Sequence, residues 1–190
     1  MSRQDILLHT CCAPCAGGCV ERLLEENRRV ILYYSNDNMC DIGEFNRRLD
    51  SVKLLAEHYG VALEVDEYRN DLWMCDIRGL EDEPERGKRC EKCFLHSLRK
   101  SAEFAGKINI PFTTSLTVSP YKSSKMIFSI GRGLGNFAEY DFKKQNGYLK
   151  STRIAAELGF YRQKFCGCRM SALQLEQKEK QKNGSTQKQQ

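Results

Sequence analysis

Two thiolates spaced as in Cys90-Glu-Lys-Cys93 can turn toward one metal, with backbone N–H groups nearby to hydrogen-bond the sulfurs. The adjacent pair Cys11-Cys12 offers two more soft ligands. In an ideal strand neighbouring side chains point to opposite faces, but both can converge where a strand turns into a helix. Four thiolates suit either zinc or an iron–sulfur cluster. A structural zinc ribbon uses two CxxC knuckles, and a CC pair is a poor knuckle. The set Cys11, Cys12, Cys90 and Cys93 therefore favours iron–sulfur over zinc, the bland rival being four buried, reduced cysteines.

Cys166-Gly-Cys168 is a different device. Two cysteines separated by one glycine can close a very small disulfide ring, and strained rings are the more easily reduced. The pair reads as a redox dithiol able to pass two electrons, or alternatively as a second metal pair. Cys15 and Cys19 follow Cys11 and Cys12 at helical spacing. Core packing is the plain reading for both, with a metal role open for Cys15 because it lies nearer the cysteine loop. Cys40 and Cys75 have no partner in sequence. His9 could donate to a sulfur or serve as an acid, although a satisfied structural histidine is the commoner case.

These residues need a scaffold, and the chain is long enough to supply one. Its 190 residues with 41% hydrophobic content fit one domain with its own core, expected over 1–173. No apolar run approaches bilayer length, and the short apolar stretch before His9 is not a signal peptide. The expected location is cytoplasmic. Ten cysteines in a reducing compartment argue for ligation, redox work or burial rather than a disulfide framework. A net charge of +5 permits an RNA partner without arguing for one.

Apolar or β-branched runs at 5–10, 30–35, 61–65 and 112–116 read as strands. Helical spacing appears at 16–27, 45–59, 91–105, 124–132 and 152–158. This alternation implies an α/β domain with a mainly parallel sheet flanked by helices. Loops at the carboxyl ends of such strands form the usual ligand site, and Cys11 and Cys12 end the first strand. From about Gln174 the chain turns polar and rich in Lys and Gln; a helix end and then a disordered tail, 174–190, are expected. No GxxxxGK[ST] loop is present, and Gly131-Arg-Gly-Leu-Gly135 follows a helix rather than a strand, so neither phosphate-binding fingerprint applies.

His9-Thr-Cys-Cys-Ala-Pro-Cys15, Gly87-Lys-Arg-Cys-Glu-Lys-Cys93, Phe112-Thr-Thr-Ser-Leu-Thr-Val-Ser-Pro120, Asp141-Phe-Lys-Lys144 and Tyr161-Arg-Gln-Lys-Phe-Cys-Gly-Cys168 occur in this order. Together they resemble the cobalamin-independent epoxyqueuosine reductases from about residue 5 to 172. The resemblance implies reduction of the epoxide on the modified wobble guanosine of a tRNA anticodon to the alkene, the last step of queuosine synthesis. It also implies a fold like the adenine-nucleotide alpha hydrolases without their ATP loop. By the same resemblance a [4Fe–4S] cluster would be held by Cys11, Cys12, Cys90 and Cys93, and the redox-active pair would be Cys166 and Cys168. An additional iron could sit beside the cluster, with Cys15 as a candidate ligand. An electron donor of unknown identity would restore the dithiol. The stretch Tyr34-Ser-Asn-Asp-Asn-Met-Cys40 departs from the family's usual Tyr-Asn-Pro-Asn run, so substrate contacts are not carried over to that loop. Arg86, Lys88, Arg89, Lys122, Lys125, Lys143, Lys144, Arg162 and Lys164 are the expected phosphate contacts, and Tyr121 and Tyr161 the expected base-stacking aromatics. The rival readings are a zinc-binding RNA-interaction module, which needs no second dithiol, and a thiol–disulfide oxidoreductase acting on proteins, which would place its CxxC directly after a strand.

Overall fold

A computed structural model describes residues 4–186. Its sheet has four parallel strands in the order β3-β2-β1-β4: β1 (Gln4–His9), β2 (Arg28–Tyr34), β3 (Ala62–Val65) and β4 (Phe112–Thr114). The α/β architecture and parallel sheet expected from the alternating pattern are both present. β1 pairs with β2 on one side and β4 on the other, so chain order reverses across β1. In open parallel sheets the crevice at such a reversal, beyond the carboxyl ends of the strands, is the ordinary binding position.

Alternation along β1 fills both faces of the sheet. Ile6 and Leu8 pack with Val20, Leu23, Val52 and Ile154 from α1 (Ala13–Glu25), α2 (Ile42–Tyr59) and α6 (Gly147–Glu157). Leu7, Tyr33 and Phe112 pack on the other face with Phe94, Leu98 and Ile127 from α4 (Lys88–Lys107) and α5 (Ser124–Arg132). α1 approaches α6 closely through Gly18, whose N–H donates to Ser151 Oγ at 3.0 Å. A Cβ at Gly18 would stand 2.7 Å from that oxygen and 2.8 Å from the Gly147 carbonyl oxygen. The glycine thus allows the helix that starts at the cysteine loop to sit flush.

The remaining helices are α3 (Asn70–Asp76) and α7 (Arg169–Thr186). Several boundaries differ from the sequence expectation by a few residues and α3 was not expected, with local reasons for β4, α6 and α3. β4 stops at Thr114 rather than 116 because Thr114 Oγ1 accepts from Leu116 N at 3.1 Å and tightens Ser115–Val118 into a 3-10 turn. α6 begins at Gly147 rather than near 152, after Gln145 and Asn146 reverse the chain with φ of 55° and 59°. α3, seven residues long, is too short to carry a helical period. α7 runs through the polar stretch to Thr186, as its Lys, Gln and Glu content permits; the end of the expected tail, 187–190, lies outside the described residues. Among the described residues no helix is long and apolar enough to cross a membrane.

Candidate metal and redox site

Cys11 and Cys12 lie where β1 gives way to α1. Cys12 is the N-cap residue of α1 and makes no side-chain cap, and Pro14 fixes the first turn. The helix therefore leaves the Cys12 thiol free for another partner and points its positive end at the sulfurs. Cys15 comes from the first turn of the same helix. The Sγ atoms of Cys11, Cys12 and Cys15 all lie within 4.8 Å of one another. Cys15, for which the sequence left core packing and a metal role both open, therefore stands with the other two. Cys19, a turn further on, is fully buried in the core, its thiol donating to the Cys15 carbonyl oxygen at 3.3 Å.

The three sulfurs shift one another's acidity. Hydrogen bonds from the Cys12 and Cys15 thiols hold the Cys11 thiol well below the usual range, with help from Lys122 and Ser115. The same bond, now donated, pushes Cys12 up to about 12. A soft cation among sulfurs this close would favour their ionised forms. Gln163 Nε2 donates to Cys12 Sγ at 3.1 Å, and Ser115 Oγ lies 3.4 Å from Cys11 Sγ while accepting from Cys11 N at 3.1 Å. Ser115 directly follows β4, so this contact spans the β1–β4 reversal.

Cys90 and Cys93 come from the first turns of α4, where Arg86 N donates to Cys90 Sγ at 3.2 Å. They face the triad across two adjoining cavities. One, of about 480 Å³, is lined by Cys15, Cys90 and Cys166. The other, of about 60 Å³, is lined by Cys11, Cys93 and again Cys166. Lys122 and Gln163 line both. The structure thus brings cysteines from three separate parts of the chain around these two cavities. Their soft sulfurs, several of them buried, and the N–H donors aimed at two of them fit a thiolate-bound metal or cluster.

Cys166 is exposed toward the larger cavity, whereas Cys168 is buried against Trp73 and Ile77. Gly167 between them has φ +134°, and a Cβ there would stand 2.9 Å from Met39 Sδ and 3.2 Å from Arg48 Nη1. Only glycine satisfies both the angle and the space. α2 clamps this turn. Arg48 Nη1 donates to the Cys166 carbonyl oxygen at 3.0 Å, Ser51 Oγ accepts from Tyr161 N at 3.1 Å, and Tyr161 Oη donates to Glu44 Oε2 at 3.0 Å. The Gly167 carbonyl oxygen accepts from Cys40 N at 2.8 Å. All ten cysteines are free thiols.

His9 takes the structural role. Its Nε2–H donates to the Ser35 carbonyl oxygen at 3.3 Å, so Nδ1 accepts from Thr114 Oγ1 at 2.9 Å. Burial lowers its pKa and keeps it neutral. The expected phosphate contacts divide. Arg86, Lys122 and Lys164 line the larger cavity beside Tyr121. Arg89 is 1% exposed and donates to the carbonyl oxygens of Glu81, at 2.7 Å, and Glu83. Lys143 Nζ is spent on the Lys122 carbonyl oxygen at 2.9 Å and Ser124 Oγ at 2.7 Å. Neither is placed to meet a phosphate, and Tyr161 is turned to Glu44 rather than to the cavity. Sequence reasoning missed Gln163, Ser115 and Trp73; the first lies inside the Tyr161–Cys168 segment and could have been found there.

Comparison with known proteins gives the family. The family model described as epoxyqueuosine reductase QueH matches residues 6–174. The chain belongs to the QueH family. Curated family members carrying that description include one from Streptococcus pyogenes serotype M1, 34% identical over 179 residues, covering 87% of this chain and 69% of that protein. One from Haemophilus influenzae is 31% identical over 172 residues, with 87% and 70% covered. One from Thermotoga maritima is 30% identical over 182 residues, with 91% and 93% covered. The QueH match begins inside β1 and ends inside α7, so every cysteine around the two cavities lies within it.

Proposed function

We propose that this chain reduces epoxyqueuosine to queuosine at the wobble position of tRNA, using a [4Fe–4S] cluster on Cys11, Cys12, Cys90 and Cys93 and the dithiol Cys166/Cys168. Residues 1–173 form the catalytic domain in this reading, and the protein works in the cytoplasm. The observation that carries it is the convergence of the Cys11/Cys12/Cys15 triad, the α4 cysteines and Cys166 on one pair of cavities at the β1–β4 reversal, in a chain of the QueH family.

The overall change balances. Opening the epoxide to an alkene breaks both C–O bonds, consumes two electrons and two protons, and releases the oxygen as water. Oxidising the Cys166 and Cys168 thiols to a disulfide supplies two electrons and two protons. A thiol or protein reductant then restores the dithiol. When bound, the cluster supplies a one-electron relay, and an additional iron beside Cys15 would supply a Lewis acid. The chain's own groups do the positioning. The larger cavity, within the size range of small-molecule sites, takes the modified base. Lys122 lines both cavities with these cysteines; burial opposes its charge, but negative charge on the surrounding sulfurs outweighs burial and raises its pKa. It can hold negative charge developing on the departing oxygen. Gln163 and Ser115 keep the Cys12 and Cys11 sulfurs oriented.

The test is iron, zinc and acid-labile sulfide content of protein purified without oxygen, followed by conversion of epoxyqueuosine tRNA. Iron and sulfide at about four each per chain, as in a [4Fe–4S] centre, with alkene formation, supports the reading. Excess iron adds the further metal. Zinc without sulfide overturns it.

A further inference from the structure

Trp73 is 1% exposed and the largest fully buried side chain among the described residues. Its Nε1 is buried and has no hydrogen-bond acceptor. A buried indole N–H normally finds a partner, so an orphan of this kind points to an acceptor that develops only in another state of the site. Trp73 sits on α3 in a small cluster with Ile77, Cys168, Cys93 and Met170. Three sulfurs therefore share its pocket, the Cys93 and Cys168 thiols and the Met170 thioether, and of these only the cysteines can become thiolates. A neutral thiol is a weak acceptor, whereas a thiolate is a strong one.

We infer that Trp73 Nε1–H donates to the Cys93 sulfur when that sulfur is a metal-bound thiolate, and that this bond makes the cluster easier to reduce. The inference rests on the cluster reading given above. Trp73 is a positioning and tuning residue; it touches no substrate. Its effect follows from charge. Adding an electron raises negative charge on the cluster sulfurs, and a fixed N–H dipole stabilises the more negative state. Cys93 lies one turn of α4 beyond Cys90, so the bond would also pin the inner half of the CxxC against α3.

The chain contains one tryptophan, which makes the test direct. The full chain is labelled with ¹⁵N at the indole nitrogen, its cluster is assembled without oxygen and reduced, and pulsed EPR is recorded. A ¹⁵N hyperfine coupling to the cluster, retained in Cys168→Ser, is expected. Absence of the coupling in an intact cluster overturns the inference and leaves the proposed function standing; loss of it only in Cys168→Ser overturns it too, by making Cys168 the acceptor. Trp73→Phe should keep iron and sulfide content while moving the midpoint potential more negative by about 59 mV, a tenfold change for one electron. An unchanged potential with normal cluster content overturns the bond. Protein that holds zinc and no sulfide overturns both readings together.

Discussion

Arg48 Nη1 donates to the carbonyl oxygen of Cys166 at 3.0 Å while its Nε holds Glu44 Oε1 at 2.7 Å. Arg48 is 2% exposed and Glu44 is fully buried. Burial alone would raise the Glu44 carboxyl, but the Arg48 and Arg47 guanidiniums outweigh it and hold it low. A buried ion pair of this kind costs desolvation, and its return here is geometric: it ties the Cys166-Gly-Cys168 turn to α2. Arg48→Met removes the buried partner of Glu44 and leaves it only the more exposed Arg47 and the Tyr161 hydroxyl, so the loss should fall below the about 3–5 kcal/mol of a wholly unpaired buried charge. Urea unfolding should show that loss. Arg48→Met combined with Glu44→Gln should recover much of the stability and little of the turnover, because the Cys166 carbonyl anchor is still missing.

Gly167→Ala tests the turn from the other side. The substitution meets Met39 and Arg48 and forces an L residue to φ +134°. Strain of about 1–3 kcal/mol follows. The turn relieves it by shifting, and a shift of about 1 Å in a reacting group lowers turnover about 100-fold. Iron content should remain near that of the parent. Steady-state turnover beside iron analysis separates the two quantities; loss of iron would instead tie the turn to the metal.

The sequence made these cysteines legible because thiols at fixed spacing have few uses, and it made the sheet legible because buried parallel strands are short apolar runs. Cys15 was undecided for a physical reason: i, i+4 spacing on a helix describes core packing and a shared ligand face equally well. Arg89 and Lys143 show the opposite limit. Both looked like phosphate contacts, yet both satisfy backbone carbonyls, and sequence carries no sign of which cation is turned inward. α3 was invisible because a helix of under two turns has no period, although its Trp73 packs beside the site.

Cys168→Ser removes a buried thiol that packs beside Cys93. With the cluster on the other four cysteines, the variant should abolish multiple turnover and leave iron and sulfide near normal. Loss of the cluster in Cys168→Ser would reassign the pair as ligands. The same comparison with Cys166→Ser gives the order of roles, since of the pair Cys166 lines both cavities and Cys168 neither.

Acid stability should depend on Asp37, in the loop after β2. Burial raises its carboxyl, but hydrogen bonds from His96 and Lys100 and from Arg69 N outweigh it and leave the pKa lowered. A carboxyl lowered in the folded state stabilises in full above its unfolded value of about 3.9. That contribution is lost as pH falls from there through the folded value. Asp37 Oδ2 lies 2.9 Å from His96 Nε2 and 2.7 Å from Lys100 Nζ, so Asp37→Asn should cost about 2 kcal/mol at neutral pH. The gap between parent and variant should narrow below about pH 4, read from urea midpoints across that range. A gap that stays constant into acid would mean the carboxylate charge contributes nothing.

Substrate binding should be governed by the rim of the larger cavity. Arg86 stacks over the Tyr121 ring at 5.5 Å, and Tyr121 is 66% exposed. An exposed aromatic capped by a guanidinium offers a splayed anticodon base a face to stack on and its phosphate a partner. Tyr121→Ala should weaken tRNA binding by about 1–3 kcal/mol. Arg86→Ala should weaken it as well and reduce the slope of log affinity against log salt by about 1. Arg89→Ala is the control. Its guanidinium serves the Glu81 and Glu83 carbonyls, so that variant should lose stability and keep the parent's salt slope. Binding titrations at several salt concentrations check all three, and equal slopes for Arg86→Ala and parent would remove the rim from the tRNA interface.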